Sequence, residues 1–166
     1  MTFSLSRPLA FAVAVVVFVL DQLSKAWIVR TLGDGMVHQM RVLPWLNFVY
    51  AENPGISMSM FLADSNAERW ALVGLTGVIA ATVVVLMLRT TSSVSRLAYA
   101  MIAGGAVGNI LDRVRLGHVI DFIQVHAGGW SFFIFNLADS AISVGIAILF
   151  LEGLFLEGKR RPHSAG

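Results

Sequence analysis

Two aspartates stand out as groups that could do chemistry. Asp139 lies inside the apolar run from Trp130 to Leu151, with no cation at i±4. An ionisable group at membrane depth is costly unless it is paired, hydrated or used, which favours a functional reading of Asp139. Asp121 sits in Val119-Ile120-Asp121-Phe122-Ile123, flanked on both sides by apolar residues. A carboxylate so placed has a raised pKa and wants a partner. Two carboxylates facing one cavity can share a proton. The ionised member then activates water, and the protonated member donates a hydrogen bond to a scissile carbonyl. The two are eighteen residues apart, at either end of a loop that could return on itself. Spacing alone does not bring them together.

Other polar residues at apolar positions have structural readings. Asp21 and Lys25 are i, i+4 with the acid first, the favourable order for a helical ion pair, and read as a positioning pair. Asn109 and Arg113 are also i, i+4. Asp112-Arg113, at the end of an apolar run, reads as an interfacial anchor, with Arg113 able to orient a second loop. Asn136, Asp139, Ser140 and Ser143 fall within an arc of about 100° on a helix, a polar stripe that Ala147 continues as apolar. Gly104 and Gly108 form a small-xxx-small packing face. Other chemistries are poorly served. The chain has no cysteine, no H-E-x-x-H and no G-x-S-x-G. Ser24 and Lys25 would point about 100° apart on a helix, wrong for a Ser–Lys dyad. His118, Asp121 and His126 form only a weak metal-ligand pattern.

The elements that must carry these groups follow from composition. Of 166 residues, 57% are hydrophobic and 13% charged, against about 25% charged in an ordinary soluble domain. The net charge of +2 is scattered, which does not suggest nucleic acid. The apolar residues fall into four blocks, read as membrane spans at about 8–28, 71–88, 94–112 and 130–151 of one domain, residues 1–166. No small-x-small cleavage site follows the first block, so it is expected to be retained. Loops 29–69 and 113–129 fall on one side, and both termini and the short turn 89–96 on the other. Alternation over Val42–Tyr50 and the turn signal Asn53-Pro54-Gly55 suggest a small sheet in the long loop.

Each side holds six Lys or Arg, but the side with the termini packs them into shorter segments, which predicts a cytoplasmic location for both termini. Trp27, Trp70 and Trp130 mark the opposite interface. Asp21 and Lys25, Asn109, Asp112 and Arg113, and Asn136 and Asp139 all fall at that same end of their spans. The halves near the termini carry no comparable group. Three helices bearing polar cost at one depth predict a shared site. Three readings are compatible with it: an acid–base enzyme, a proton-coupled transporter with Asp139 as relay, and a non-catalytic assembly subunit using the Gly104/Gly108 face.

Five segments carry a resemblance to a known family. They are Asp21-Gln22-x-Ser24-Lys25, Asn53-x-Gly55, Gly104-Gly105-Ala106-x-Gly108-Asn109-x-x-Asp112-Arg113, Val119-Ile120-Asp121-Phe122-Ile123 and Phe135-Asn136-x-Ala138-Asp139-x-x-Ile142. Together, in this order, they resemble the prolipoprotein signal peptidases (signal peptidase II), bacterial membrane aspartic peptidases. The sequence departs from the family pattern at Ile56–Phe61, where small and aromatic residues are common, and at Phe132-Phe133, where Trp-Pro is frequent.

The resemblance implies an all-α membrane protein of four transmembrane helices, with a small extracytoplasmic β-sheet and a short extracytoplasmic helix covering the site. It implies a multi-pass enzyme of the bacterial inner membrane, active near the outer face, that cuts lipid-modified prolipoproteins just before the diacylglyceryl-cysteine. By that analogy Asp121 and Asp139 form the catalytic dyad. Asp21, Lys25, Asn53, Gly55, Asn109, Asp112, Arg113, Asn136 and Ala138 bind substrate or support the site. The resemblance implies no metal or cofactor, contact with membrane lipids, inhibition by globomycin and no required oligomer.

Overall fold

The computed structural model describes residues 4–36, 39–55, 66–127 and 130–160, with side chains to residue 155. Four helices are long and apolar enough to cross a membrane: α1 (Arg7–Leu32), α2 (Asn66–Arg89), α3 (Ser93–Leu116) and α4 (Leu137–Arg160). At 1.5 Å per residue, 24 to 26 residues exceed the ~30 Å of hydrocarbon. Four strands, β1 (Gln39–Leu43), β2 (Leu46–Asn53), β3 (Val119–Ala127) and β4 (Trp130–Phe135), form an antiparallel sheet in the order β1-β2-β3-β4.

Both loops therefore build the sheet, not the long loop alone. Trp130–Phe135 is a strand, so the fourth span begins at Leu137 and not at Trp130. Periodicity could not separate them, because the apolar run Trp130–Phe135 passes directly into an apolar helix. The covering segment, expected within 53–66, falls largely on 56–65, outside the described residues.

Helix α3 is the least apolar of the four yet the most buried, because it packs against all three others. Glycines permit that approach. A side chain at Gly104 would strike the Ala14 carbonyl on α1, and one at Gly105 the Ala138 carbonyl on α4. Gly117, at φ 88°, ends α3 in the left-handed conformation and turns the chain into β3.

The sheet is seated on the end of α1. Ile28 and Leu32 pack with Ile120 and Phe122 of β3, and Phe48 of β2 joins them. Trp27 stands edge-on to Phe48 at 5.9 Å. At the opposite end, Leu5, Ala10, Met87 and Ala100 form a second core cluster. A polar network lies there too, contrary to the expectation that those halves carry nothing comparable. Arg96 donates to the carbonyls of Leu5 and Thr90, each at 2.5 Å. Glu152 accepts from the hydroxyls of Ser92 and Ser95 at the start of α3. The sequence hid this pairing because Ser92 and Glu152 are sixty residues apart.

Candidate active site

The polar groups at the sheet end of α1 and α3 are buried against one another. Lys25 Nζ contacts Asp21 Oδ2 at 2.8 Å, Asp112 Oδ2 at 2.7 Å and Asn109 Oδ1 at 3.0 Å. Gln22, which sequence reasoning did not single out, donates to Asp112 Oδ1 at 3.0 Å. Its place in the motif Asp21-Gln22-x-Ser24-Lys25 was the available signal. Asp21 Oδ1 accepts from the Ala138 backbone N–H at 3.0 Å and so joins α1 to the first turn of α4.

Asp112 and Arg113 are not interfacial anchors: they are 3% and 8% exposed. Helix α3 runs one turn beyond the expected end, to Leu116, so both side chains turn inward. Arg113 donates to the Gly55 carbonyl at 2.8 Å and thus holds the long loop.

A lysine can only donate, so Asn109 must turn its oxygen to Lys25 and its amide nitrogen away. That nitrogen donates to Asp139 Oδ1 at 2.8 Å. Asn136 caps α4 reciprocally. Its side-chain oxygen accepts from the Asp139 N–H at 2.9 Å, and Asp139 Oδ2 accepts from the Asn136 N–H at 3.3 Å. The Asn136 amide nitrogen donates to Asp121 Oδ1 at 2.7 Å and to Asn109 Oδ1 at 3.2 Å.

The polar stripe read on the fourth span divides accordingly. Asn136 precedes the helix, Asp139 enters the site, Ser140 bonds back to the Asn136 carbonyl and Ser143 is exposed.

Asp121 is presented by the sheet. Ala51 on β2 pairs with Asp121 on β3, which sets Asn53 diagonally across from it on the same face. Asn53 donates to Asp121 Oδ2 at 2.9 Å. The Asn53 side-chain oxygen holds the Gly55 N–H at 3.1 Å, which turns the Gly55 carbonyl toward Arg113. Asp121 is 3% exposed. Burial is the main reason its pKa is pushed up to about 6; the Asn53 hydrogen bond opposes that rise and the nearby Asp139 charge adds to it.

A cleft of about 330 Å³ opens beside these groups. Asn53, Asn109, Arg113 and Asp139 line its polar end, and Leu75, Ile79, Ile102 and Ile142 its apolar walls. His118 meets Glu52 at 3.7 Å rather than Asp121. Among the described residues, no three His, Asp or Glu side chains gather around a common point.

Residues 13–155 match the family model Peptidase_A8, described as signal peptidase (SPase) II. The chain belongs to the signal peptidase II family. It is thus a peptidase, in a family of the aspartic type, and a multi-pass membrane protein. This family member is 40% identical over 160 residues to the lipoprotein signal peptidase of Rhizorhabdus wittichii, covering 96% of this chain and 93% of that one. It is 44% identical over 152 residues to the lipoprotein signal peptidase of Escherichia coli O157:H7, covering 89% of each. Its fold is similar to a bacterial membrane enzyme solved in meso at 2.3 Å, with TM-score 0.78, 26% identity and 95% and 94% of the two chains covered. A second such enzyme, solved at 1.9 Å, gives TM-score 0.74 at 29% identity over 87% and 92%.

Proposed function

We propose that this signal peptidase II family member removes the signal peptide of lipid-modified prolipoproteins, cutting immediately before the diacylglyceryl-cysteine with Asp121 and Asp139 as the catalytic pair. The observation that carries this reading is the convergence of both carboxylates on Asn136, beside a cleft with one polar end and apolar walls. Apolar walls suit a signal helix and acyl chains, and the polar end suits the peptide bond to be cut.

Asp121, buried and with its pKa raised, is the proton holder. Asp139, facing the cleft, is the base that takes a proton from water as the water attacks the scissile carbonyl. Asp121 hydrogen-bonds the carbonyl oxygen and stabilises the tetrahedral intermediate, and the proton on Asp139 then passes to the leaving amine. Asp21, Lys25, Asn53, Gly55, Asn109, Asp112, Arg113, Asn136 and Ala138 hold the pair in place.

The enzyme sits in the bacterial inner membrane with both termini cytoplasmic and the sheet and site at the outer face. The dense short basic segments at the termini support this orientation. A proton relay through the membrane would need polar groups along α3 between Arg96 and Asn109, where Leu97–Gly108 offers only Tyr99.

The test is cleavage of a lipidated precursor by purified enzyme in detergent. Asp121→Asn and Asp139→Asn should each lower the rate by at least about 10²–10⁴ while the protein still inserts, and globomycin should block the wild type. Full processing by either variant would overturn the assignment.

A further inference from the structure

A second groove, of about 340 Å³, lies between α1 and α3 and shares no lining residue with the cleft. Its rim carries Arg30 and Arg115, each in the last turn of its helix. Neither makes an ion pair or hydrogen bond among the described residues, and both side chains are exposed. The other charged groups lining the groove are Lys25 and Asp112, which pair with each other in a buried network that also includes Asp21. The groove therefore holds two guanidinium groups with no direct ion-pair partner among the described residues. Its wall on α1 carries an apolar strip: Ala26 and Leu23 lie one and two turns deeper in the span than Arg30.

We propose that this groove binds an anionic phospholipid, with the phosphate held between Arg30 and Arg115 and an acyl chain laid along Ala26 and Leu23. Guanidinium forks match phosphate oxygens. Leu23 is about 10 Å deeper than Arg30 at 1.5 Å per residue, and a headgroup layer is roughly 5–8 Å thick. A phosphate at the arginines thus brings the acyl chain to the apolar strip. The diacylglyceryl-cysteine of a prolipoprotein carries no anion at its lipid, so this occupant is distinct from substrate. The proposal stands independently of the aspartate pair.

The experiment is native mass spectrometry of the full-length protein released from detergent, titrated with phosphatidylglycerol, phosphatidylcholine or inorganic phosphate. Wild type should retain phosphatidylglycerol in preference to phosphatidylcholine. Arg30→Gln/Arg115→Gln should weaken that binding by about thirtyfold, and Arg41→Gln, which removes one positive charge from the sheet, should leave it unchanged. A photoreactive phosphatidylglycerol should label α1 and α3 peptides of the wild type, a readout that does not depend on any variant folding. Unchanged binding in the double variant, equal loss in Arg41→Gln, or labelling elsewhere would overturn the proposal. So would displacement by inorganic phosphate alone, which would mean a free-anion site, or a loss of dimers in the double variant, which would mean an interface between copies.

Discussion

The side-chain amide of Asn136 donates to Asp121 Oδ1 at 2.7 Å, while the Asn136 backbone N–H donates to Asp139 Oδ2 at 3.3 Å. One residue thus registers a carboxylate of the sheet against a carboxylate of a helix, and its side-chain oxygen caps that helix as well.

Those two duties of Asn136 are separable. Asn136→Ala should cost about 1–2 kcal/mol of stability for the lost cap and lower activity about 10- to 100-fold for the lost hydrogen bond to a carboxylate. Asn136→Ser keeps an oxygen at the cap but is too short to reach Asp121. It should recover most of the melting temperature and little of the cleavage rate. Recovery of both would mean that the bridge to Asp121 is idle.

Asp121 makes a signed contribution to pH-dependent stability. Its folded pKa of about 6 lies above its ordinary 3.8, so between those values the folded protein binds more protons than the unfolded chain. Stability from this group is fully present below pH 4, is lost as pH rises toward 6, and levels off above that. The loss is on the order of 3 kcal/mol. Melting temperatures in detergent across pH 4–7 should show wild type losing ground to Asp121→Asn over that window. Parallel curves would mean that Asp121 is not buried as described.

Lys25 holds two carboxylates and an amide oxygen within a buried network. Lys25→Met would leave Asp21 and Asp112 facing each other without a cation, at a cost of about 3–5 kcal/mol. It should sharply reduce the yield of folded enzyme and its melting temperature. Lys25→Met/Asp112→Leu, which removes one of the stranded charges, should be the more stable of the two; the opposite ranking would argue against the network.

Glycines on α3 and α2 should respond differently to alanine. Gly104→Ala and Gly105→Ala would drive a methyl into a backbone carbonyl of α1 or α4 and should each cost roughly 1–3 kcal/mol. Gly74 and Gly77 on α2 have open space around them. Alanine there should be neutral or stabilising by up to about 1 kcal/mol. Thermal unfolding of the four variants side by side is the measurement.

Local pattern was legible in the sequence where it was continuous. Four apolar runs became four helices, and the depth of Asp21, Asn109 and Asp139 within those runs foretold that they meet. The i, i+4 spacing of Asp21 and Lys25 became an ion pair. What the pattern could not carry was anything set by partners far along the chain. The third oxygen on Lys25 comes from Asp112, and a residue at a helix end reads as an anchor until α1 is seen beside it. Trp130–Phe135 looks helical until β3 supplies its hydrogen bonds. Glu152 is a lone acid near the end of a span until Ser92 and Ser95, far along the chain at the start of α3, come beside it.

The contact between Asp21 and the Ala138 N–H has a consequence for biogenesis. Synthesis delivers α1 first, with Asp21 and Lys25 already one turn apart and able to neutralise each other in the bilayer. Asp112 and Asn109 reach Lys25 only when α3 is inserted, and Asn136, Ala138 and Asp139 come last, at the entry to α4. The site is therefore complete only once the final helix is in place. With the catalytic pair proposed above, a chain in which only three spans have been inserted lacks Asp139 and should be proteolytically silent.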